Sequence, residues 1–566
     1  MPSPIAVSGI TVHIFSSTNA TLDAGGMSRI FFVDSGGSLV LRSITLTKGI
    51  STSAGGAIFV YWYCTLNMAT CVVSNSRAIT DNYGGGGVYI SGHSSGNFDH
   101  CSFHSNTGDN LGGILVEVMS TSTFTACTFR SNSAVTRGGA GTFINTDALS
   151  TCDVSFESCT FVSNIALEGG GIALYGNLLF NFTACRFTSN SATGDDSSAG
   201  AVLATVHTEE SVGPAVNFVG CEFSLNSASN ICVAVAMGKV AELVVMACTF
   251  SENVAGSAGG AMYLSNTNDA IHIRHSLFVS NTANYIGGGG LIVAEGNVEV
   301  TGPCFISNTA GGSLATADGD GGGVLTLGSA ALDVKGCTFE SNTAFDRGGA
   351  LNFQGTCERC WFAHNMAGLE GGAVCASRAV FLQNSVIAEC TAEESGAAAY
   401  SAAGLAVTNS RVYGFAWSSE RAQELFYYDS DRFILQLDNV EFSNNALTAI
   451  HFDASQTVIV RNCAGLNESD ANGFAAMTCG NADISQACPQ EYCIDADSLG
   501  IEVRLEITLH NQYYVTARVL VQCYCYPGGV ATDPNEALSC DSSARISIPV
   551  TTFNLIIDKP QTQSAL

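Results

Sequence analysis

The stretch CTFRSNSAVTRGGAGTF, residues 127–143, recurs almost unchanged as CTFESNTAFDRGGALNF at residues 337–353. Both copies follow the pattern Cys-x-Phe-x-x-Asn-x-Ala, then a few variable residues, then a Gly pair. Successive phenylalanines of the repeat are between 23 residues (Phe339 to Phe362) and 36 residues (Phe187 to Phe223) apart. A period of this length is typical of a solenoid. The repeat positions are Cys101, Phe103, Asn106, Cys127, Phe129, Asn132, Cys159, Phe161, Asn164, Cys185, Phe187, Asn190, Cys221, Phe223, Asn226, Cys248, Phe250, Asn253, Cys337, Phe339, Asn342, Cys360, Phe362 and Asn365.

Each repeat has the pattern of strands rather than helices. Cys and Phe, two residues apart, share one face of a strand, and the residue between them faces outward. A second apolar stretch follows each Gly pair, for example GIALYG at 171–176 and AMYLSN at 261–266. We expect two or three strands per repeat, with Asn and Gly in the left-handed conformation of the turns, because these residues adopt it most readily.

Stacked copies of this unit form a coil that repeats along one axis. Strands of successive coils lie about 4.8 Å apart, which places each Phe above the previous Phe and each Asn above the previous Asn. The asparagine amides can then hydrogen-bond along the axis, as in cross-β assemblies. A coil cannot bury its apolar face alone, so it needs a near-copy on either side. The sequence therefore predicts an all-β, right-handed parallel β-helix over residues 1–460.

The paired Phe-x-x-Asn and Gly-Gly-Ala-Ile signatures, the latter at residues 55–58, resemble the repeats of the polymorphic outer-membrane proteins of chlamydiae. More broadly, they resemble right-handed β-helix proteins of pectin-lyase-like fold. The resemblance covers about residues 20–460. It implies a surface-exposed domain, which in some members of the family is adhesive. The cysteine of the repeat is not part of the minimal motif of that family.

The charge of the chain restricts the kinds of molecule that it can bind. The net charge is −28, with 21 basic and 49 acidic residues, and the lysines are Lys48, Lys239, Lys335 and Lys559. Such a surface repels a phosphate backbone, which argues against nucleic-acid partners. No run reaches the roughly 18 apolar residues of a membrane helix. The chain opens in strand-like sequence with no signal-peptide pattern, so we expect it to begin inside its fold, with a truncated N-terminus.

The cysteines divide into two groups. Most of the repeat cysteines are expected to be free, buried thiols, because in-register Cβ atoms about 4.8 Å apart exceed the separation of about 3.5 to 4.5 Å in a disulfide. The Cys-x-x-Cys at 357–360 contains the repeat residue Cys360, and no redox or zinc role is assigned to it. From residue 461 the repeat ends, and residues 461–566 are predicted to form a Cys-rich, mainly β module that could cap the solenoid. The cysteines of this module are Cys463, Cys479, Cys488, Cys493, Cys523, Cys525 and Cys540.

Enzymes on a β-helix need carboxylates grouped on one outer face. The outward position between Cys and Phe forms no acidic stripe, and motif fragments of the polygalacturonase type occur in the wrong order. His272 and His275, three residues apart, point to opposite faces of a strand and are interpreted as unrelated surface histidines. The polygalacturonase-type fragments are NTD at 145–147, DD at 195–196 and GHS at 92–94, and the His element precedes the others. HTEE at 207–210 and the pair Asp318 and Asp320 are interpreted as parts of polar insertions.

No catalytic, metal or cofactor residue is therefore assigned. Three glycosylation sequons, at Asn19, Asn181 and Asn467, are compatible with secretion. The preferred hypothesis is an extracellular or cell-surface interaction protein, a rod that contacts a glycan or a protein surface. The alternative is a carbohydrate-active β-helix enzyme, which would need several charged residues converging in one groove.

Overall fold

The computed structural model describes most of the 566-residue chain. It describes residues 3–79, 84–109, 111–117, 119–147, 152–194, 199–206, 212–229, 234–265, 271–311, 319–416, 421–422, 424–429, 433–451, 457–461, Cys463, 471–472, 499–509, 515–525 and 538–539. All regular elements within these residues are β-strands. In this part of the chain no helix has the length and apolar character that crossing a membrane requires. The chain separates into two compact units, Met1–Cys488 and Pro489–Leu566.

One coil of the first unit shows the plan of all of them. Ile114–Glu117 lies in a first sheet, Thr121–Thr125 and Thr128–Arg130 lie in a second, and Ser133–Ala134 lies in a third. Each strand pairs in parallel with its counterpart in the next coil, as Phe129 with Phe161. The predicted all-β, parallel β-helix is confirmed. We call the three sheets A, B and C in the order in which the chain enters them.

Within the described residues, sheet A contains 18 short strands. Their outward side is largely covered, because residues such as Leu115 and Ala173 are buried there. The strands are Ile5–Ser8, Phe31–Asp34, Ile58–Tyr61, Val88–Ser91, Ile114–Glu117, Gly141–Asn145, Ile172–Gly176, Val202–Thr205, Val235–Gly238, Met262–Ser265, Leu291–Val293, Val324–Thr326, Leu351–Asn352, Val374–Ala376, Ala399–Ser401, Glu424–Tyr428, Thr448–His451 and Ala471–Asn472.

Sheet B contains 29 strands in the part of the chain that the structure describes, because most coils cross it as two strands with a corner between them. The first strands, some of which run through the corner, are Thr11–Asp23, Ser38–Thr47, Thr65–Ala69, Ser95–Asp99, Thr121–Thr125, Cys152–Glu157, Leu178–Thr183, Ala215–Val219, Glu242–Met246, Ile271–Arg274, Asn297–Thr301, Ala331–Lys335, Gly355–Glu358, Val380–Gln383, Leu405–Tyr413, Ile434–Ser443 and Thr457–Arg461. The second strands are Val72–Ser74, Ser102–His104, Thr128–Arg130, Thr160–Val162, Arg186–Thr188, Glu222–Ser224, Thr249–Ser251, Leu277–Val279, Cys304–Ile306, Thr338–Glu340, Trp361–Ala363 and Val386–Ala388.

Among the described residues, sheet C is a ladder of 13 two-residue strands. The second residue of most of them is a buried alanine, such as Ala192 or Ala255, which lets the coil turn tightly. The strands are Ile50–Ser51, Arg77–Ala78, Thr107–Gly108, Ser133–Ala134, Ile165–Ala166, Ser191–Ala192, Ser227–Ala228, Val254–Ala255, Thr282–Ala283, Thr309–Ala310, Thr343–Ala344, Met366–Ala367 and Thr391–Ala392.

The second unit contains an antiparallel hairpin. Leu499–Leu509 pairs along its whole length with Val515–Cys525, and Leu538–Ser539 adds a short third strand. The described residues do not test the module predicted from residue 461 or its disulfides, since most of its cysteines lie outside them. That module stays a prediction.

The repeat phenylalanines form one continuous stack inside sheet B. From Phe103 to Phe362 the rings of successive coils lie nearly parallel, with centroids 4.5 to 5.1 Å apart. A second stack, which we did not predict, runs through Phe98, Phe124, Phe156, Phe182 and Phe218 and meets the first edge-on. The two phenylalanines of a coil are always five positions apart, as Phe98 and Phe103 are, so this spacing was visible in the sequence.

The repeat asparagines form a hydrogen-bonded ladder at the corner between sheets B and C. Asn132 Nδ2 donates to Asn164 Oδ1 at 3.1 Å, and it also donates to the carbonyl oxygen of Phe103 at 2.8 Å. The same pattern continues from Asn106 to Asn365 and includes Asn281 and Asn308.

The expectation that asparagine occupies the left-handed turn position is wrong. The residue before it does so, as Ser131 with φ 52° shows. Asn132 cannot take that position, because its side chain must point inward to reach the ladder.

The repeat cysteines occupy the equivalent corner between the two strands of sheet B. Cys101, Cys127, Cys159, Cys185, Cys221, Cys248 and Cys337 are buried and free. The Cys127 thiol donates to the carbonyl oxygens of Thr125 and Phe98. Cys360 differs from the other repeat cysteines, because it forms a disulfide with Cys357 of the same coil.

Candidate functional site

The outward residues of the first strand in sheet B form a row along the axis. In each coil this residue stands six positions before the phenylalanine of the first stack. We call this set the outer row. In register order its members are Asn97, Thr123, Ser155, Asn181, Asn217, Val244, His272, Glu299, Asp333 and Thr356.

The N-terminal part of the outer row is uncharged. Asn97 donates through Nδ2 to Asn67 Oδ1 at 2.8 Å and accepts from the Thr123 hydroxyl at 2.8 Å. Asn217 Nδ2 donates to Asn181 Oδ1 at 2.9 Å. These amide and hydroxyl side chains therefore satisfy one another across neighbouring coils.

The C-terminal part of the outer row carries charge. His272 Nδ1 lies 2.9 Å from Glu299 Oε2 in the next coil. In the coils that follow, the Thr356 hydroxyl donates to Asp333 Oδ1 at 2.5 Å. Four consecutive coils thus present ionisable or hydroxyl side chains at one outward position, and we call these four residues the charged segment.

A second outward position, two residues further along each strand, adds the basic partners. Lys335 Nζ lies 2.6 Å from Asp333 Oδ2 and 3.9 Å from Glu299 Oε1. A guanidinium nitrogen of Arg274 lies 3.5 Å from Glu299 Oε2. The Glu299 carboxylate is therefore in contact with three basic side chains, His272 and Arg274 from the preceding coil and Lys335 from the following one.

The charged segment lines a groove of about 470 Å³. Ala331 and Gly355 also line it, and these small residues leave room beside the carboxylates. Gly355 has φ 134°, and a Cβ there would lie 2.1 Å from the carbonyl oxygen of Leu332. No other residue type fits at this position without moving the backbone, so the opening beside Asp333 and Thr356 is built into the strand.

Two ionisable side chains, Asp333 of the groove and its partner Lys335, are stabilised in their charged forms. Burial raises the pKa of Asp333, but hydrogen bonds from Lys335 and Thr356 outweigh burial and hold the pKa below its ordinary value. The hydrogen bond to Asp333 raises the pKa of Lys335. Both groups therefore stay ionised around neutral pH. They can orient a ligand by charge-assisted hydrogen bonds, but their pKa values are unsuited to exchanging protons at that pH.

His272 has a different environment from the one assumed for it. We interpreted His272 and His275 as unrelated surface histidines. The two do not act together, because His272 lies on the outer row and His275 lies in the following turn with φ 47°. His272, however, is part of the charged segment. A histidine held by a carboxylate through Nδ1 is the arrangement that orients a general base.

The other sequence candidates do not join this groove. Asp320 accepts a hydrogen bond from the backbone nitrogen of Arg347. The segments 145–147 and 92–94 belong to other coils. The pairs 195–196 and 207–210, together with Asp318, lie outside the described residues. Within those residues no group of three or more His, Cys, Asp or Glu side chains could hold a metal ion.

Comparison with known proteins supports the fold. Residues 29–209 match the family model of a right handed beta helix region. The match gives the handedness that the sequence predicts.

Two further comparisons contribute less. Among solved structures, the receptor binding domain of the Siphovirus 9NA tailspike is 12% identical, over 93% of this chain and 83% of that chain, with a TM-score of 0.21. A superposition this poor adds nothing to the assignment. A comparison with curated proteins finds no match.

Proposed function

We propose that the protein is an extracellular or cell-surface interaction protein whose β-helix presents the groove of the charged segment to a glycan. The observation that carries this proposal is the concentration of charge in neighbouring coils of a row that is otherwise uncharged. A requirement of the fold would act on all coils alike, whereas a ligand contacts only some of them.

The geometry suits recognition of a sugar chain. Strands fix the backbone positions of Glu299, Asp333 and Thr356, and ion pairs fix their side chains, so little entropy is lost on binding. Carboxylates accept hydrogen bonds from sugar hydroxyls, while Arg274 and Lys335 can bind carboxylate or sulfate groups of an acidic glycan. The resemblance to the polymorphic outer-membrane protein repeats, whose members are surface-exposed, supports the same assignment.

A glycan array that includes neutral and uronic-acid oligosaccharides tests the proposal. We expect saturable binding by the wild-type protein and at least about tenfold weaker binding by the double variant Glu299→Gln and Asp333→Asn, a loss of about 1.4 kcal/mol. Asn217→Ala, in the uncharged part of the same row, is the matched control and should bind like wild type. Equal binding by all three proteins, or binding by none, would contradict the proposal.

The pairing of His272 with Glu299 favours a second candidate function, a lyase acting on a polyuronide. His272 would take the proton next to the uronate carboxylate while Arg274 and Lys335 neutralise that carboxylate. The electron pair of the broken C–H bond forms a carbon–carbon double bond, the adjacent glycosidic C–O bond breaks, and the oxygen of the leaving sugar takes a proton from water. An increase in the ultraviolet absorbance of the unsaturated product, with calcium present, would show this activity. His272→Ala should abolish it, and no increase in the wild type would exclude it for the polyuronides assayed.

A further inference from the structure

Three consecutive aromatic residues form an exposed turn in an early coil. Tyr61, Trp62 and Tyr63 connect the sheet A strand Ile58–Tyr61 to the sheet B strand Thr65–Ala69. Their relative exposures are 36%, 47% and 65%, so two of the largest side chains of the chain stand in solvent together. Adjacent exposed aromatic residues mark binding surfaces more often than single ones do. We call these three residues the aromatic turn.

The rings of the aromatic turn contact one another and the next coil. The Tyr61 and Trp62 rings meet edge-on with centroids 5.5 Å apart. Tyr63 stacks on His93 with centroids 5.0 Å apart and an angle of 7° between the rings. The rings therefore form one connected platform whose orientation is set by ring contacts.

The backbone of the aromatic turn is in a conformation that its residues rarely adopt. Trp62 and Tyr63 both have φ 57°, in the left-handed region that bulky residues rarely occupy. The neighbouring coils place one glycine each at these two positions, Gly36 with φ 77° and Gly92 with φ 67°, and the other position is left-handed there as well. The left-handed corner is therefore a feature of the fold, and what distinguishes this coil is that both left-handed positions carry an aromatic ring.

Space for a ligand lies on the side of the preceding coil. A Cβ added to Gly36 would meet no atom within 4 Å, so the surface beside it is open. On the opposite side, a Cβ at Gly92 would lie 3.2 Å from Trp62 Cα and 3.5 Å from a carbon of its ring. The rings of Trp62 and Tyr63 contact His93 of the following coil, while the surface at Gly36 of the preceding coil is open. We call this open surface the notch.

A hydrogen-bonding group borders the notch. Asp34, two residues before Gly36, is half-buried, and its carboxylate accepts a hydrogen bond from the Ser8 hydroxyl. A second acceptor oxygen on this carboxylate can bind a further hydroxyl. The notch thus combines an aromatic face with a fixed carboxylate.

We infer that the aromatic turn is a carbohydrate-binding site that takes a pyranose ring of a neutral or N-acetylated glycan. The C–H face of the sugar packs on the platform of Trp62 and Tyr63, and its hydroxyls bond to Asp34. A nucleic-acid base would also stack on such rings, but its phosphates would be repelled by a protein of net charge −28. This inference does not rest on the groove of the charged segment, which lies in different coils.

Titration with oligosaccharides, followed by tryptophan fluorescence, tests the inference. The probes are cellohexaose, chitohexaose and oligogalacturonate, and we expect a saturable change with at least one of the first two. The change should be absent in Trp62→Phe, since Trp62 is the reporter among three tryptophans. Calorimetry should show about two- to tenfold weaker binding by Tyr63→Ala, since the variant loses one stacking contact with the sugar.

Two further variants keep the test independent of folding and of the groove. Gly36→Asn fills the notch but leaves every ring in place, and asparagine tolerates a left-handed conformation, so it should weaken binding without lowering the melting temperature. Tyr285→Ala removes a tyrosine that is 41% exposed in another turn and should bind like wild type. Binding should also survive Asp333→Asn. Wild-type affinity in both Tyr63→Ala and Gly36→Asn, or no binding of either neutral sugar, would overturn the inference.

Discussion

The inward and outward rows of sheet B follow opposite rules. The inward position holds phenylalanine in every coil from Phe103 to Phe362. The outer row, six residues earlier in the same coils, changes from asparagine and threonine to His272, Glu299 and Asp333. An inward side chain must fit identical neighbours above and below it, whereas an outward one contacts solvent and ligands. Repetition in this chain follows from the needs of folding, and the proposed ligand contacts lie where the repetition stops.

The largest change in the free energy of unfolding is expected for a substitution in the inward row. Phe250 is buried between Phe223 and Phe278, with centroids 4.7 and 4.8 Å away. Phe250→Ala should lower the free energy of unfolding by about 3 to 5 kcal/mol, because it opens a cavity in the stack. The neighbouring outward residue gives the control, since Thr249→Ala should cost less than about 0.5 kcal/mol. Equal costs in denaturant unfolding would mean that the inward and outward assignments are reversed.

Asparagine allows a direct comparison of the two rows, because it occurs both in the inward ladder and on the outer row. Asn253 accepts hydrogen bonds from the backbone nitrogen and Nδ2 of Asn226, and it donates to Asn281 and to the Phe223 carbonyl. Asn253→Ala removes these bonds and leaves the buried backbone nitrogen of Asn226 and the Phe223 carbonyl without their side-chain partner, which should cost about 2 to 3 kcal/mol.

Asn217→Ala on the outer row is the matched substitution. Water can replace the bond of Asn217 to Asn181, so the cost should be within about 0.5 kcal/mol. Chemical unfolding of the two variants measures the difference. A similar loss in both would show that the ladder contributes no more than a surface hydrogen bond.

The aromatic turn predicts a substitution that stabilises the protein. Tyr63→Gly removes a left-handed φ from a bulky residue, and we expect a gain of up to about 1 kcal/mol, together with lost sugar binding. Tyr285 does not have a positive φ. Tyr285→Gly should therefore destabilise by about 0.5 to 1 kcal/mol. Thermal melting of both variants gives the signs, and a loss of stability in Tyr63→Gly would show that the ring contributes to folding.

The smallest expected effect is the pH dependence of the groove. The folded pKa of Asp333 lies below the unfolded value of 3.8, so its stabilising contacts are present above that pH and are lost as the pH falls through the folded pKa. Asp333 is 45% exposed, so the contribution should be under about 1 kcal/mol. The difference in melting temperature between wild type and Asp333→Asn should be constant at neutral pH and shrink in acid. A difference that grows in acid would contradict the assigned pKa direction.

The sequence was sufficient to predict the repeating features of the fold, but not the groove, whose residues do not repeat. Phe129 and Asn132 recur with constant spacing, so strand, corner and axial register follow from them. The groove depends on residues of different types, His272, Glu299 and Asp333, which become neighbours only when coils of unequal length are aligned. We searched the position between Cys and Phe for acidic residues, and the charged residues stand earlier, on the first strand. Aligning each coil on its phenylalanine would have brought them into one row.

The asparagine ladder also bears on how this chain could change its length. The same side-chain hydrogen bond joins Asn164 to Asn190, which is 26 residues further along the chain, and Asn190 to Asn226, which is 36 residues further. Extra residues therefore leave the axial rise unaltered, and duplication or loss of one whole repeat restores every bond. Each such event would move Trp62 and His272 apart or together by about 4.8 Å. The distance between the two proposed binding sites would thus change in steps of one coil when repeats are gained or lost. Selection could in this way adjust that distance to the spacing of the units in a polymeric ligand.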